Sequence, residues 1–250
     1  MIDFHTHILP ALDDGAQNVE MAQKMVEKER EQGVKTLVFT PHYYGIRRSP
    51  EQFKQERDAA FEKVKPYLGD MQTVLGAEVY FTAHSAAAPE GIASLAIGKG
   101  KYVLLELPFD QRWSRQLFDK IGEFIRVTSC TPIISHVERY GQVLRHPKYL
   151  SELLNMGCLL QINAASLQNP RTRALTKAIL KHGMAHCIGS DTHNLSDRAP
   201  NLKDVQTQFE KDGFLAEFEK AQILMGRILN GETVTVDSTQ KIKKCLWNYR

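Results

Sequence analysis

Short, nearly continuous apolar runs alternate with amphipathic stretches from residue 1 to about residue 200, and this rhythm restricts the fold more than any other feature of the chain. The runs lie at 1–5, 36–40, 72–80, 102–107, 132–136, 158–163 and 185–190. They have strand length and are apolar on both faces, as strands covered on both sides are. Between them, 19–32, 50–67, 111–128, 147–156 and 170–182 carry apolar residues at helical spacing. Ser49-Pro50-Glu51-Gln52 supplies a cap, a first-turn proline and the partner of a capping box. Gly33, Gly157 and Gly183 follow helix ends, where a left-handed residue is wanted. Alternation of β and α predicts a parallel sheet, and seven such units predict an α/β barrel.

The 250 residues suit one barrel domain. Residues 83–100 read as an Ala/Gly-rich loop with a short helix, and 201–250 as a helical C-terminal segment packed on the barrel. A 42% hydrophobic and 24% charged chain can build its core without disulfides. The four cysteines (Cys130, Cys158, Cys187 and Cys245) form no CxxC pair, so reduced, buried thiols are expected rather than a zinc ribbon. A net charge of +3 without a basic run argues against a nucleic-acid track; Lys241, Lys243, Lys244 and Arg250 read as a solvated tail. No secretion signal and no apolar stretch of spanning length is visible, so a cytoplasmic protein without a membrane span is expected.

The polar residues carry the functional signal. His5 and His7 close the first strand, His42 the second, Glu106 the fourth and His136 the fifth; Glu78 lies near the end of the third. Asp191 and His193 follow the seventh, and Asp14 lies in the loop after the first. In a parallel barrel these strand ends meet on one face. Alternate residues of a strand share a side, so His5 and His7 can face one ion, and Asp191 with His193 repeats that spacing. Two like charges about 4 Å apart cost roughly 4 kcal/mol at an effective dielectric of 20, so four crowded carboxylates call for cations. An imidazole and carboxylate set suits manganese, with iron or zinc also suited. Nine ligands exceed one ion and could serve two or three. The resulting positive charge suits a phosphate ester.

Asp3-Phe4-His5-Thr6-His7, Leu12-Asp13-Asp14-Gly15, Thr40-Pro41-His42, Gly76-Ala77-Glu78-Val79-Tyr80, Ser135-His136-Val137-Glu138-Arg139-Tyr140 and Ser190-Asp191-Thr192-His193-Asn194 resemble, in order, the polymerase and histidinol phosphatase (PHP) superfamily. Within it the chain is most similar to bacterial protein-tyrosine phosphatases of the CpsB/CapC type, which act with capsule and exopolysaccharide synthesis. The resemblance implies a distorted (β/α)7 TIM-like barrel of the PHP fold. It implies one ion held by His5, His7, Glu78 and Asp191, with Glu78 bridging to a second held by Glu106 and His136. Asp14, His42 and His193 would hold a third. Arg139 and Arg198 match arginines that grip phosphate in catalysis. The implied reaction is attack of metal-activated water on a phosphotyrosine protein, such as a bacterial tyrosine kinase regulating capsule or exopolysaccharide synthesis. A small-molecule phosphomonoesterase of the histidinol-phosphatase type and a non-catalytic kinase-binding regulator are the alternatives. No cysteine has an arginine six residues later (the positions hold His136, Ala164 and His193), which argues against a thiol nucleophile. Arg47, Arg48, Arg112, Arg115, Arg139, Arg171, Arg173 and Arg198 follow strands and would form a positive rim.

Overall fold

Every apolar run forms strand. β1 (Ile2–Thr6) and β2 (Thr36–Phe39) are followed, across Pro41, by β3 (His42–Tyr43). Proline has no N–H to give to a ladder, and the second strand is interrupted there. The third run splits at Gly76-Ala77 into β4 (Gln72–Leu75) and β5 (Glu78–Tyr80). A Cβ at Gly76 would meet Ile97 Cγ1 at 2.5 Å, so only glycine admits that contact. β6 (Tyr102–Glu106), β7 (Thr131–Ile134), β8 (Leu159–Asn163) and β9 (Cys187–Gly189) follow. The computed structural model describes every residue except Ala86, Val236, Ser238, Gln240, Leu246, Trp247 and Arg250, and gives only the backbone of Cys245 and Asn248.

The strands pair in parallel as a six-stranded sheet, β3-β5-β6-β7-β8-β9, and a three-stranded sheet, β1-β2-β4. The Gly76 N–H donates to Phe39 O at 2.9 Å and extends the β2–β4 ladder, and the Glu78 N–H, donating to Pro41 O at 3.1 Å, carries the pairing on to β5 of the larger sheet. The sheet curls until β1 reaches the segment after β9: Asp191 N–H donates to His5 O, His7 N–H donates to Thr192 O, and Thr6 bridges Thr192. Gly189 permits this approach, since a Cβ there would lie 2.4 Å from His5 Cβ.

Helices α1 (Val19–Glu31), α2 (Pro50–Val64), α4 (Arg115–Thr128), α6 (Lys148–Asn155) and α7 (Arg173–Lys181) occupy the expected segments. The capping box at Ser49 is formed, and Gly33, Gly157 and Gly183 all have positive φ. Short helices α3 (Pro89–Ala93) and α5 (Gly141–Arg145) lie in loops. After residue 200 the chain makes α8 (Leu202–Lys211) and α9 (Leu215–Leu229). The expectation of helix to the C-terminus needs correction. Helix ends at Asn230-Gly231, where Gly231 takes φ +74°, and Thr233-Val234-Thr235 follows with neither helix nor strand. Lys244–Cys245 (β10) pairs antiparallel with Asn248–Tyr249 (β11), and Arg250 of the basic tail lies outside the described residues.

Inside the curl, Phe4, Val38, Leu104, Ile133, Leu159 and Cys187 form an apolar layer that Met225 and Ile228 of α9 cover from below. The polar side chains sit one layer higher on the same strands: Glu106 above Leu104, and Gln161 above Leu159. β1 is the exception to simple alternation. Its register shifts between Asp3 and Thr6, so that Phe4 joins the inner apolar layer while the adjacent His5 also faces inward. An unbulged strand would send one of the two outward.

Cys130, Cys158 and Cys187 are free and buried, as expected of structural thiols; burial pushes the Cys158 thiol up to about 12. His186 is buried beside β8, where its Nδ1 accepts the Leu160 N–H at 3.2 Å. Burial lowers its pKa to about 4. Between that value and the ordinary 6.5, the unfolded chain binds a proton that the folded chain refuses. The contribution of neutral His186 is therefore complete above pH 6.5 and is lost as pH falls toward 4. His186→Asn keeps an acceptor without a titrating ring. In thermal unfolding from pH 7.5 to 4, it should lose stability less steeply than the parent chain over that window, by up to about 1.4 kcal/mol per pH unit.

Candidate metal centre

The strand ends deliver all nine predicted side chains to one mouth. Eight are buried, while the Asp14 side chain is 66% exposed at the lip. Two of the nine depend on unusual backbone. His136 (φ 32°, ψ 51°) and Asp191 (φ 57°) are left-handed immediately after β7 and β9. That conformation costs a non-glycine residue about 1–2 kcal/mol. It is held here by bonds from His136 N–H to Gln161 Oε1 and from Asp191 N–H to His5 O.

Glu78 is the hub. Its carboxylate lies 3.1 Å from His5 Nε2, 3.4 Å from His7 Nε2, 3.1 Å from His42 Nδ1 and 2.9 Å from His136 Nε2. Glu106 approaches His136 at 3.5 Å and His42 at 3.9 Å. Asp14 approaches His193 at 3.3 Å and His42 at 3.5 Å. Asp191 Oδ1 lies 3.6 Å from His7 and 3.7 Å from His5. Three clusters offer donor atoms close enough for one ion each: His7, Asp14, His42 and His193; His5, His7 and Glu78; and His42, Glu78 and Glu106. The carboxylates are thus interleaved with imidazoles rather than set against one another, so the repulsion argued from sequence is not what calls for a cation.

The imidazole nitrogens make that case. His7 Nδ1 lies 2.8 Å from Asp13 Oδ2, an acceptor, so Nδ1 carries the proton. His5 Nδ1 lies 3.2 Å from Gln161 Oε1, which also accepts the His136 N–H, so His5 is protonated at Nδ1 as well. The two Nε2 lone pairs then face each other at 3.0 Å. Lone pairs in that arrangement repel unless a proton or metal ion lies among them. His42 Nδ1, Glu78 Oε2 and His193 Nε2 are buried within 3.1–3.3 Å of charged or ionisable neighbours yet make no well-directed hydrogen bond, as atoms arranged around an ion would.

The electrostatics agree that the floor demands positive charge. Burial opposes charging His7, yet Asp13 and Glu78 overcome it and raise its pKa to about 10. Against the same opposition, Glu106 and Glu78 raise His136 to about 9. Burial disfavours charge on Glu78 and Asp191, but the surrounding imidazoles, joined at Asp191 by Arg198, hold both well below the usual carboxylate range. The approach of His193 Nε2 to 3.3 Å holds Asp14 down, to about 2. Burial, joined by the charge of His7, lowers His193.

Both predicted arginines reach Asp191: Arg139 Nη1 at 2.7 Å from Oδ2, and Arg198 Nη2 at 2.7 Å from Oδ1. Each remains about one-third exposed. A cavity of about 220 Å³ beside them is lined by Arg139, Asn163, Asp191 and Arg198. Arg139 makes no pair with Glu138, whose buried carboxylate accepts from Asn163 N–H and Ser166 Oγ.

Sequence reasoning missed the residues that orient the ligand set. Asp13 accepts from Gly15 N–H, His42 N–H and His7, tying the first loop to both strands. Gln161 serves His5 and His136, and Asn163 donates to Asp191 Oδ2 at 2.7 Å. Asp3 accepts from Ser190 N–H and faces Glu29 of α1 beneath the floor; burial raises both pKa values. The available signal was a polar residue inside an otherwise apolar strand, as at Gln161.

Residues 1–225 match the family model described as "Capsular polysaccharide synthesis, CpsB/CapC". The chain is 29% identical over 217 residues to the tyrosine-protein phosphatase CpsB of Streptococcus pneumoniae, covering 81% of this chain and 87% of that one. It is 27% identical over 260 residues to the tyrosine-protein phosphatase YwqE of Bacillus subtilis, covering 98% and 97%. A crystal structure from work on YwqE and CpsB superposes with a TM-score of 0.82 at 24% identity, over 98% of this chain and 100% of that one, and shows the same fold.

If Asp13 fixes the His7 tautomer, Asp13→Asn should bind manganese about 10- to 100-fold more weakly in calorimetric titration, with circular dichroism unchanged. The parent chain should release protons on binding, and its affinity should fall as pH is lowered, because metal and proton compete for the same imidazoles.

Proposed function

We infer the activity from one premise: this chain belongs to the CpsB/CapC capsular polysaccharide synthesis family. It is a metal-dependent phosphatase that removes phosphate from tyrosine in a protein substrate. The observation that carries this reading is the 3.0 Å approach of His5 Nε2 and His7 Nε2 beside Glu78, a contact that only a proton or a metal ion among them can hold. The donor set fits two or three divalent ions, with manganese favoured and iron or zinc accommodated. His5, His7, Glu78 and Asp191 would hold one; Glu78, Glu106 and His136 a second; Asp14, His42 and His193 a third. Bound divalent ions lower the pKa of water and draw charge from phosphoryl oxygens.

The remaining chemistry belongs to the chain. Arg139 and Arg198 carry planar guanidinium groups beside the mouth, and each can grip two phosphoryl oxygens while keeping its hold on Asp191. The buried floor strengthens every such contact by excluding water. A tyrosinate leaves readily, its parent phenol having a pKa near 10, so no general acid is assigned. Cys158 and Cys187, both raised by burial, are unsuited to nucleophilic attack.

We read the curled sheet as a distorted (β/α)7 barrel of the PHP fold, with 1–250 as one domain. The substrate we favour is a phosphotyrosine protein, such as a bacterial tyrosine kinase. No described helix is long and apolar enough to cross a membrane, and the free thiols of Cys130, Cys158 and Cys187 fit the cytoplasmic setting we favour. Of the arginine rim, Arg48, Arg115 and Arg173 are paired with Glu56, Asp119 and Asp212, whereas Arg171 has no ion pair among the described residues.

Chelated protein should hydrolyse neither a phosphotyrosine peptide nor its phosphoserine twin, and manganese should restore activity toward the phosphotyrosine peptide alone. Restoration confined to small metabolite esters would overturn the protein substrate; no hydrolysis with any metal would overturn the phosphatase. His136→Ala should abolish turnover, which a purely kinase-binding regulator would tolerate. Arg171→Glu should reduce kcat/KM for an acidic phosphotyrosine peptide several-fold more than for a small aryl phosphate, and equal losses would remove the rim from the account.

A further inference from the structure

The parallel register of β3 and β5 sets His42 opposite Glu78 and Tyr43 opposite Val79. One step further along both strands, Tyr44 and Tyr80 come next. Residues two apart share a side, so these rings stand on the side that presents His42 and Glu78, one pleat farther from the floor. The contacts confirm the placement. The Tyr44 ring lies 5.4 Å from that of His42 and 5.7 Å from that of Tyr80, and Tyr80 is in register with Glu106 of β6.

A cavity of about 120 Å³ lies at the end of these strands, where Tyr44 and Tyr80 of the metal-facing side and Tyr43 and Val79 of the other side both line it, together with Ile46 and Ile92. An apolar cavity of about 150 Å³ holds benzene, so the volume is on the scale of one aromatic ring. Ile46, at its edge, is 85% exposed, a large apolar side chain withheld from the core. Arg47 lies over the Tyr44 ring at 5.1 Å and gives the lip a positive charge. Phe109, a further aromatic residue near the mouth, is already stacked on His136 and covered by Arg139.

We propose that Tyr44, Ile46 and Tyr80 form an aryl subsite that takes the aromatic ring of the substrate's alcohol half and so selects phosphotyrosine over phosphoserine. The proposal rests on the phosphatase reading and adds what chooses the substrate. The ring of an aryl phosphate begins one bond beyond the ester oxygen. With its phosphoryl group at the floor, it therefore meets side chains one pleat outward. A serine ester has only a methylene to offer there.

The test uses full-length, manganese-loaded protein and calorimetric binding of inorganic phosphate, methylphosphonate and phenylphosphonate, none of which is turned over. Phenylphosphonate should bind at least about tenfold more tightly than methylphosphonate. Ile46→Ser, at an exposed position where folding is not at stake, and Tyr80→Ala should each reduce that ratio to about threefold or less, with phosphate affinity held within about twofold. A ratio near one in the parent chain, or a ratio unchanged in both variants, overturns the subsite. If phosphate binds and the phenyl group adds nothing, the subsite alone falls. If none of the three binds, the phosphatase reading falls and takes the subsite with it.

Discussion

The structure turns on one electrostatic demand: a water-poor floor where Glu78 touches four imidazoles and two of those imidazoles bring their Nε2 atoms to 3.0 Å, which requires a proton or an ion among them. Buried charge is tolerated only when it is paired and hydrogen-bonded. Here the pairing is incomplete within the chain, because Glu78 Oε2, His42 Nδ1 and His193 Nε2 lie close to their neighbours without a well-directed hydrogen bond. Protons on His7 and His136 meet the demand when no other cation does, and divalent ions meet it better, since each supplies more charge and several ligand positions. The same imbalance that would weaken an empty fold makes the site selective for cations.

The scaffold reads as a set of devices for delivering those groups. A register shift in β1 brings His5 inward beside Phe4. Pro41 ends one ladder so that His42 can begin another. Left-handed turns at His136 and Asp191 swing both side chains over the mouth, and Gly189 lets β9 close against His5. Beneath them, Asp13, Gln161 and Asn163 settle tautomers and carboxylate orientation. Local strain is concentrated where the chemistry is placed, and the apolar layer below is regular.

Arg139 and Arg198 link the floor to what arrives from solvent. Both hold Asp191 and both keep a face exposed, so they can stabilise a buried carboxylate and meet an incoming phosphoryl group without moving far. The aromatic wall one pleat outward extends the same logic from charge to shape: phosphate is gripped at the floor, and its ester partner is read higher on the strands.

Much of this was legible in the chain. Apolar runs buried on both faces require a parallel sheet, and ligand-capable residues at the ends of such runs require a shared mouth; His5, His42, Glu106 and His136 follow from that rule alone. Helix caps and glycines fell where local chemistry dictates, because those effects act within a few residues. What sequence could not decide depended on approach between distant segments. The inward turn of both Phe4 and His5 breaks the two-residue period and arises only from pairing with β2. The burial of His186 arises from its bond to Leu160, and the end of the C-terminal helix from a glycine that competes with a helical pattern. The roles of Asp13, Gln161 and Asn163 appear only once the ligands they orient have converged. A one-dimensional pattern encodes which face a side chain favours; which atoms meet, and therefore where protons sit and where a cation is required, is set by packing in three dimensions.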